Sequence, residues 1–155
     1  MKKGILVPVD GSKNALEALR VAIGLAKALQ ENLIVLNVQP NFQTPNVRRF
    51  FRDEDVQQYQ EQMYREVMEP VRRQLDEAGV EYRLKMLIGK AKDEILFQAD
   101  PFAAEQEACT TTGVRMIVMG SRGMGPIAGG ILGSVSYGVL QAAPCPVTIV
   151  PYSCE

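Results

Sequence analysis

The chain has 155 residues, 46% of them hydrophobic and 23% charged, with a net charge of −1. That length suits one globular domain, and that balance excludes a disordered chain and argues against nucleic-acid binding by phosphate neutralisation. There is no histidine, which excludes histidine acid–base catalysis, Ser-His-Asp and Cys-His nucleophiles, and zinc sites built on imidazole.

The chain alternates strand and helix. Ile5 to Val9 is a short apolar run rich in β-branched residues, as in a buried parallel strand. It ends at Asp10, too early for a secretory signal core. Asp10-Gly11-Ser12 is turn chemistry, and Ser12 is placed to cap the next helix. Apolar residues recur at helical spacing from Ala15 to Leu29, and Leu33 to Val38 reads as a second strand ended by Pro40. Residues 40–52 show no period and read as a loop. Asp53 opens a long polar helix with a stripe of Val56, Tyr59, Met63, Val67, Val71, Leu75 and Ala78. Pro70 lies inside the stripe and is expected to kink or interrupt it, and Gly79 is placed as its C-cap. Phe50 and Phe51, just before this helix, are expected to plug a hinge or anchor its start. Tyr82 to Ile88 reads as a third strand.

Helix resumes near Ala91. Asp100-Pro101 resembles an N-cap with a first-turn proline, so two helices or one broken helix are expected before Gly113. Met116 to Met119 is a fourth strand, Ser134 to Ala142 a last helix and Pro146 to Val150 a fifth strand. No apolar run approaches the roughly 20 residues of a membrane-spanning helix, so no membrane insertion is expected. Cys109, Cys145 and Cys154 are odd in number and lack CxxC spacing. They are expected to be thiols in a reducing cytoplasm, two packed and one near the C-terminus.

Five apolar strands separated by helices imply an α/β fold, a doubly wound five-stranded parallel sheet with helices on both faces. In such sheets ligands bind beyond the carboxyl ends of the strands, where strand order reverses. Two loops compete for that place, one carrying Asp10 and one rich in glycine. Eight of the 13 glycines lie between Gly113 and Gly138. No Asp or Glu occurs from Cys109 to Cys154, and the charges there are Arg115 and Arg122. Glycine lets backbone N–H groups approach an anion closely, and the following helix N-terminus adds donors, with Ser134 and Ser136 at its start. A flexible loop with a serine cap is the plainer alternative. There is no GxxxxGK[ST]. Gly123, Gly125 and Ala128 match GxGxxA, but the acidic residue that a dinucleotide site needs some 20 positions on is missing. A two-component receiver would need an acidic pair after the first strand, where Asp10 stands alone.

One spacing does fit. Gly120, Gly123, Gly133 and Ser134 form G-x2-G-x9-G-S. With Ile5 to Ser12, Ile117 to Gly123, Gly133 to Ser136 and Ala143 to Val147, this resembles the universal stress protein family along the whole chain. The resemblance implies a single universal stress protein domain over residues 1–155. Its fold would be Rossmann-like, of the adenine nucleotide alpha hydrolase-like kind. It also implies ATP as ligand, with ADP or AMP possible and Mg2+ or Mn2+ accompanying the nucleotide.

Gly120, Gly123, Gly133 and Ser134 match phosphate-binding positions in that family, and Val135 and Ser136 match neighbouring contacts. Asp10 matches a residue near the ribose or the metal, Pro8 and Val9 the wall beside it, and Val38 a residue at the adenine. The resemblance further implies a homodimer through the last strand (Val147, Ile149, Val150) and a regulatory role in stress resistance with little or no hydrolysis, its protein partner unknown. Residues 40–62 and 97–106 depart from the family pattern. Read from the residues alone, Asp10 is equally a turn former, and Arg122 is either a phosphate partner or a solvated loop arginine. Gly125 is carried as a candidate with the glycine loop. Two other functions remain open: a slow ATPase or phosphotransfer enzyme, and a nucleotide-free dimeric assembly module.

Overall fold

A computed structural model describes residues 3–101, 113–122 and 132–152. In chain order the elements are β1 (Gly4–Pro8), α1 (Lys13–Leu29), β2 (Asn32–Gln39), α2 (Pro45–Phe50), α3 (Asp53–Ala78), β3 (Tyr82–Ile88), α4 (Ala91–Ala99), β4 (Val114–Gly120), α5 (Ser134–Ala142) and β5 (Val147–Val150). The strands form one parallel sheet in the order β3-β2-β1-β4-β5. The chain winds outward from β1 in one direction and then from β4 in the other. The order therefore reverses between β1 and β4, and the loops that follow them leave the sheet side by side.

The pleat divides the core in two, because successive strand residues point to opposite faces. Ile5, Val7 and Val118 face α1 and α3, packing with Leu19, Met68 and Leu75. Leu6, Ile117 and Met119 face α4 and α5, packing with Ile95 and Val139. Burial on both faces explains why these strands read as continuous apolar runs. Local caps set the helix bounds. Ser12 Oγ accepts from the Ala15 N–H at 3.1 Å. Gly79 closes α3 at φ 68°, a left-handed conformation that suits glycine. Among the described residues no helix is long and apolar enough to cross a membrane.

Four expectations are corrected. Residues 40–52 are not all loop, since α2 occupies Pro45–Phe50, capped by Thr44 Oγ1 on the Val47 N–H at 3.3 Å. Pro70 does not interrupt α3, which is continuous from Asp53 to Ala78. Tyr59 is exposed, and its neighbour Gln60 is buried instead, donating to the Pro40 carbonyl at 3.4 Å. Phe50 and Phe51 plug nothing, being 80% and 58% exposed. Asp100 is extended after α4, which breaks the helix there as the Asp-Pro pair implies. The rest of that segment, residues 102–112, lies outside the described residues.

Candidate functional site

The site is built where β1 and β4 end. Beyond β1 the Val9 N–H donates to the Leu36 carbonyl at 2.8 Å. The Val9 carbonyl accepts from Asn37 Nδ2 at 2.9 Å, and Asn37 Oδ1 accepts from Gln39 Nε2 at 2.7 Å. These two β2 side chains are buried, so they hold the start of the first loop in place without reaching solvent. Asp10 follows, exposed, with Oδ1 accepting the Ser12 N–H at 3.0 Å. Gly11 takes φ 89° to make that turn, a conformation that costs an L side chain strain.

The described residues at the two ends of the segment after β4, Gly120 to Arg122 and Gly133 to Ser136, are held from three sides. The Ser121 N–H donates to the Val150 carbonyl at 2.9 Å, and the Gly133 N–H donates to the Ser121 carbonyl at 2.7 Å. Asn14, 1% exposed, reaches across from α1. Its Nδ2 donates to the Val150 carbonyl at 3.2 Å, and its Oδ1 accepts the Arg122 N–H at 3.0 Å. Ser136 Oγ donates to the Gly120 carbonyl at 2.8 Å. The Ser136 hydroxyl proton is thus engaged in joining α5 to β4, and the oxygen keeps only its capacity as an acceptor.

Between these loops lies a cleft of about 250 Å3. Pro8, Val9, Asp10, Val38, Gly120, Arg122, Gly133, Ser134, Val135 and Ser136 all line it. The other two sequence candidates, Gly123 and Gly125, lie outside the described residues. At one end α5 begins with Gly133 as N-cap, and no side chain caps it. The first-turn N–H groups of a helix have no intrahelical acceptor, and here that turn forms part of the cleft wall. Ala15, Leu36, Ala91, Ile95 and Met119 complete the lining. They add apolar side chains, which suit a flat ring, to a lining that also carries donors.

Sequence reasoning did not single out those five residues, nor Asn14, Asn37 and Gln39. Asn37 and Gln39 left a readable sign, two polar residues at the carboxyl end of an apolar strand. Asn14 left none, because its partners are remote in sequence.

Among the described lining residues Asp10 is the one carboxylate and Arg122 the one cation. The hydrogen bond to Asp76 raises the Tyr82 phenol, with burial adding to it. Burial pushes the Cys145 thiol up, against a smaller opposing effect of a backbone hydrogen bond at Ile117. Cys145 is unpaired and packs beside the second core, as a packed thiol does. Cys109 and Cys154 lie outside the described residues.

The universal stress protein family model matches residues 1–151. The chain is 30% identical to universal stress protein MJ0531 of Methanocaldococcus jannaschii over 151 residues, covering 96% of this chain and 81% of that protein. It is 33% identical to a universal stress protein of Thermus aquaticus, covering 97% and 99%. Among solved structures, the universal stress protein UspA of Lactobacillus plantarum aligns with a TM-score of 0.74 at 23% identity, covering 96% and 97% of the two chains. The Archaeoglobus fulgidus universal stress protein in complex with dAMP aligns at 0.63, with 22% identity and coverage of 96% and 97%. An Arabidopsis thaliana family member with AMP bound aligns at 0.64, with 19% identity and coverage of 98% and 93%.

Proposed function

The chain belongs to the universal stress protein family, and from that premise we propose that it is an ATP-binding regulatory protein with little or no hydrolysis. The observation that carries the proposal is one wall of the cleft. The end of β4, Arg122 and the uncapped start of α5 border the same space. Exposed first-turn amides and a cation attract phosphate. The dAMP and AMP complexes of the two aligned proteins support an adenine nucleotide as ligand. In this reading Gly120, Gly133, Ser134 and Val135 hold the phosphates, together with Gly123 and Gly125. Val38, Leu36, Ala91 and Ile95 border the adenine. Asp10 meets the ribose or a divalent ion.

Mg2+ or Mn2+ fits Asp10 only together with the nucleotide. Among the described residues no group of three His, Cys, Asp or Glu could hold a metal, and Mg2+ commonly binds through one or two carboxylates plus phosphates. Bound there, the ion would neutralise phosphate charge. Phosphoryl transfer also needs a positioned nucleophile and a charge clamp. One exposed carboxylate and one arginine provide little of either, so turnover is expected to stay below about 1 s⁻¹.

The test is a thermal-shift series with ATP, ADP, AMP and GTP. A ligand at a hundred times its dissociation constant stabilises the fold by about 2.7 kcal/mol, roughly 5–10 °C for a chain of this size. Shifts with adenine nucleotides and weaker ones with GTP are expected. No shift with any adenine nucleotide refutes the proposal.

We also propose a homodimer through β5, in a cytoplasmic protein. Both β3 and β5 are sheet edges. The β3 edge carries Arg83 and Lys85, charges that discourage strand pairing. The β5 edge is Val147, Thr148, Ile149 and Val150, uncharged and half-buried. Light scattering is expected to give twice the 17.1 kDa chain mass, and a monomer at micromolar concentration would refute the pairing.

A further inference from the structure

Arg122 does not stand alone at the cleft. Its guanidinium carbon lies over the ring of Tyr152, 5.7 Å from the centroid. Tyr152 sits two residues beyond β5, and its backbone N–H donates to Ser121 Oγ at 3.2 Å. With the Ser121–Val150 bond, this fixes the backbone after β5 against the backbone before Arg122. None of those bonds uses the tyrosine side chain. The ring, 40% exposed, adds a contact of a different kind.

We propose that Tyr152 is a positioning residue for Arg122, and that the pair makes the cleft discriminate nucleotides by phosphate charge, favouring a triphosphate over a monophosphate. This rests on reading the cleft as an adenine-nucleotide site. A cation held over a ring face is attracted to the ring without spending an N–H donor on an ordinary hydrogen-bond acceptor. The contact therefore restrains a long, flexible side chain by a means other than the hydrogen bonds that an anion engages. Restraint before the ligand arrives lowers the ordering cost of binding. The attraction of a fixed cation grows with the charge of its partner. Its effect is thus greatest on ATP and least on AMP.

Calorimetric titration of ATP and of AMP into the full chain tests this, using the unmodified protein, Tyr152→Leu and Tyr152→Phe. The leucine variant keeps the backbone bond to Ser121 and loses the ring. It is expected to bind ATP about two- to fivefold more weakly, to bind AMP as before, and to keep its thermal midpoint. The phenylalanine variant keeps the ring and is expected to restore ATP affinity. Equal losses for ATP and AMP would mark Tyr152 as merely structural and overturn the inference. So would unchanged ATP binding in the leucine variant, or a phenylalanine variant no better than leucine. In each of those results the cleft still binds nucleotide, so the inference fails alone. Absence of both nucleotides from the unmodified chain refutes the reading of the cleft and the inference with it.

Discussion

Gly120→Ala is expected to lower the free energy of unfolding by about 1–3 kcal/mol, as forced overpacking does, although it adds one carbon. A Cβ at this position would lie 2.6 Å from Asn14 Oδ1, 2.7 Å from its Cγ and 3.2 Å from its carbonyl carbon. Asn14 has little room to yield. It is 1% exposed, and its amide spans the Val150 carbonyl and the Arg122 N–H. Moving it takes from that N–H a buried acceptor, a loss that by itself costs about 1–3 kcal/mol. Gly24→Ala is the control of opposite sign. It adds a carbon in the middle of α1 with nothing within 4 Å, and alanine is favoured over glycine in a helix by about 0.5–1 kcal/mol. Urea denaturation midpoints of the two variants should move in opposite directions. Combining Gly120→Ala with Asn14→Ala should cost less than the sum of the two, because they strain one contact. Strict additivity would mean that the glycine is small for some other reason.

The same locus shows where the sequence could and could not be read. Strands declared themselves through burial on both faces. Leu33, Val35 and Leu36 are fully buried, so selection for apolar residues leaves an unbroken run. The α2 helix left no such trace. It buries none of its residues, so its faces carry no stripe, and the only signals were Thr44 as cap and Pro45 in the first turn. Pro70 does not interrupt α3. A proline inside a helix costs about 3 kcal/mol, yet Val67 and Met68 before it and Val71 and Leu75 after it are all buried. Packing on both sides of the proline outweighs the lost hydrogen bond.

The cleft divides in the same way. Its ends were legible because turn and glycine chemistry is local. Its bracing was not, because Asn14 bonds to Val150 across 136 positions and to Arg122 across 108. An asparagine on an otherwise amphipathic helix shows nothing of partners that only the fold supplies. The apolar side of the cleft was hidden for a related reason. Ala91 and Ile95 face the cleft from α4, and Ile95 also serves the second core, so they carry the pattern of packing residues.

Gly133→Val carries the largest expected effect on function: loss of ATP affinity by more than about a hundredfold, with the chain still folded. Gly133 lines the cleft as the N-cap of α5, buried, with its N–H on the Ser121 carbonyl. Its φ of −62° and ψ of 159° are open to any residue, so a side chain here meets no backbone strain. Replacing a good N-cap by a poor one costs folding about 1 kcal/mol, or roughly 2–4 °C in the thermal midpoint. The cost to binding is larger. A branched side chain at the cap keeps a phosphate from the first-turn amides, and each hydrogen bond to a charged group contributes about 1.5–3 kcal/mol. Losing two of them exceeds a hundredfold at 1.4 kcal/mol per decade. Gly113→Ala, with nothing within 4 Å of the added carbon, separates this from a general intolerance of side chains at glycine. It should bind as the unmodified chain does. A Gly133→Val protein that binds ATP normally would place the phosphates elsewhere and remove α5 from the site. One that fails to fold would show that the glycine serves packing first.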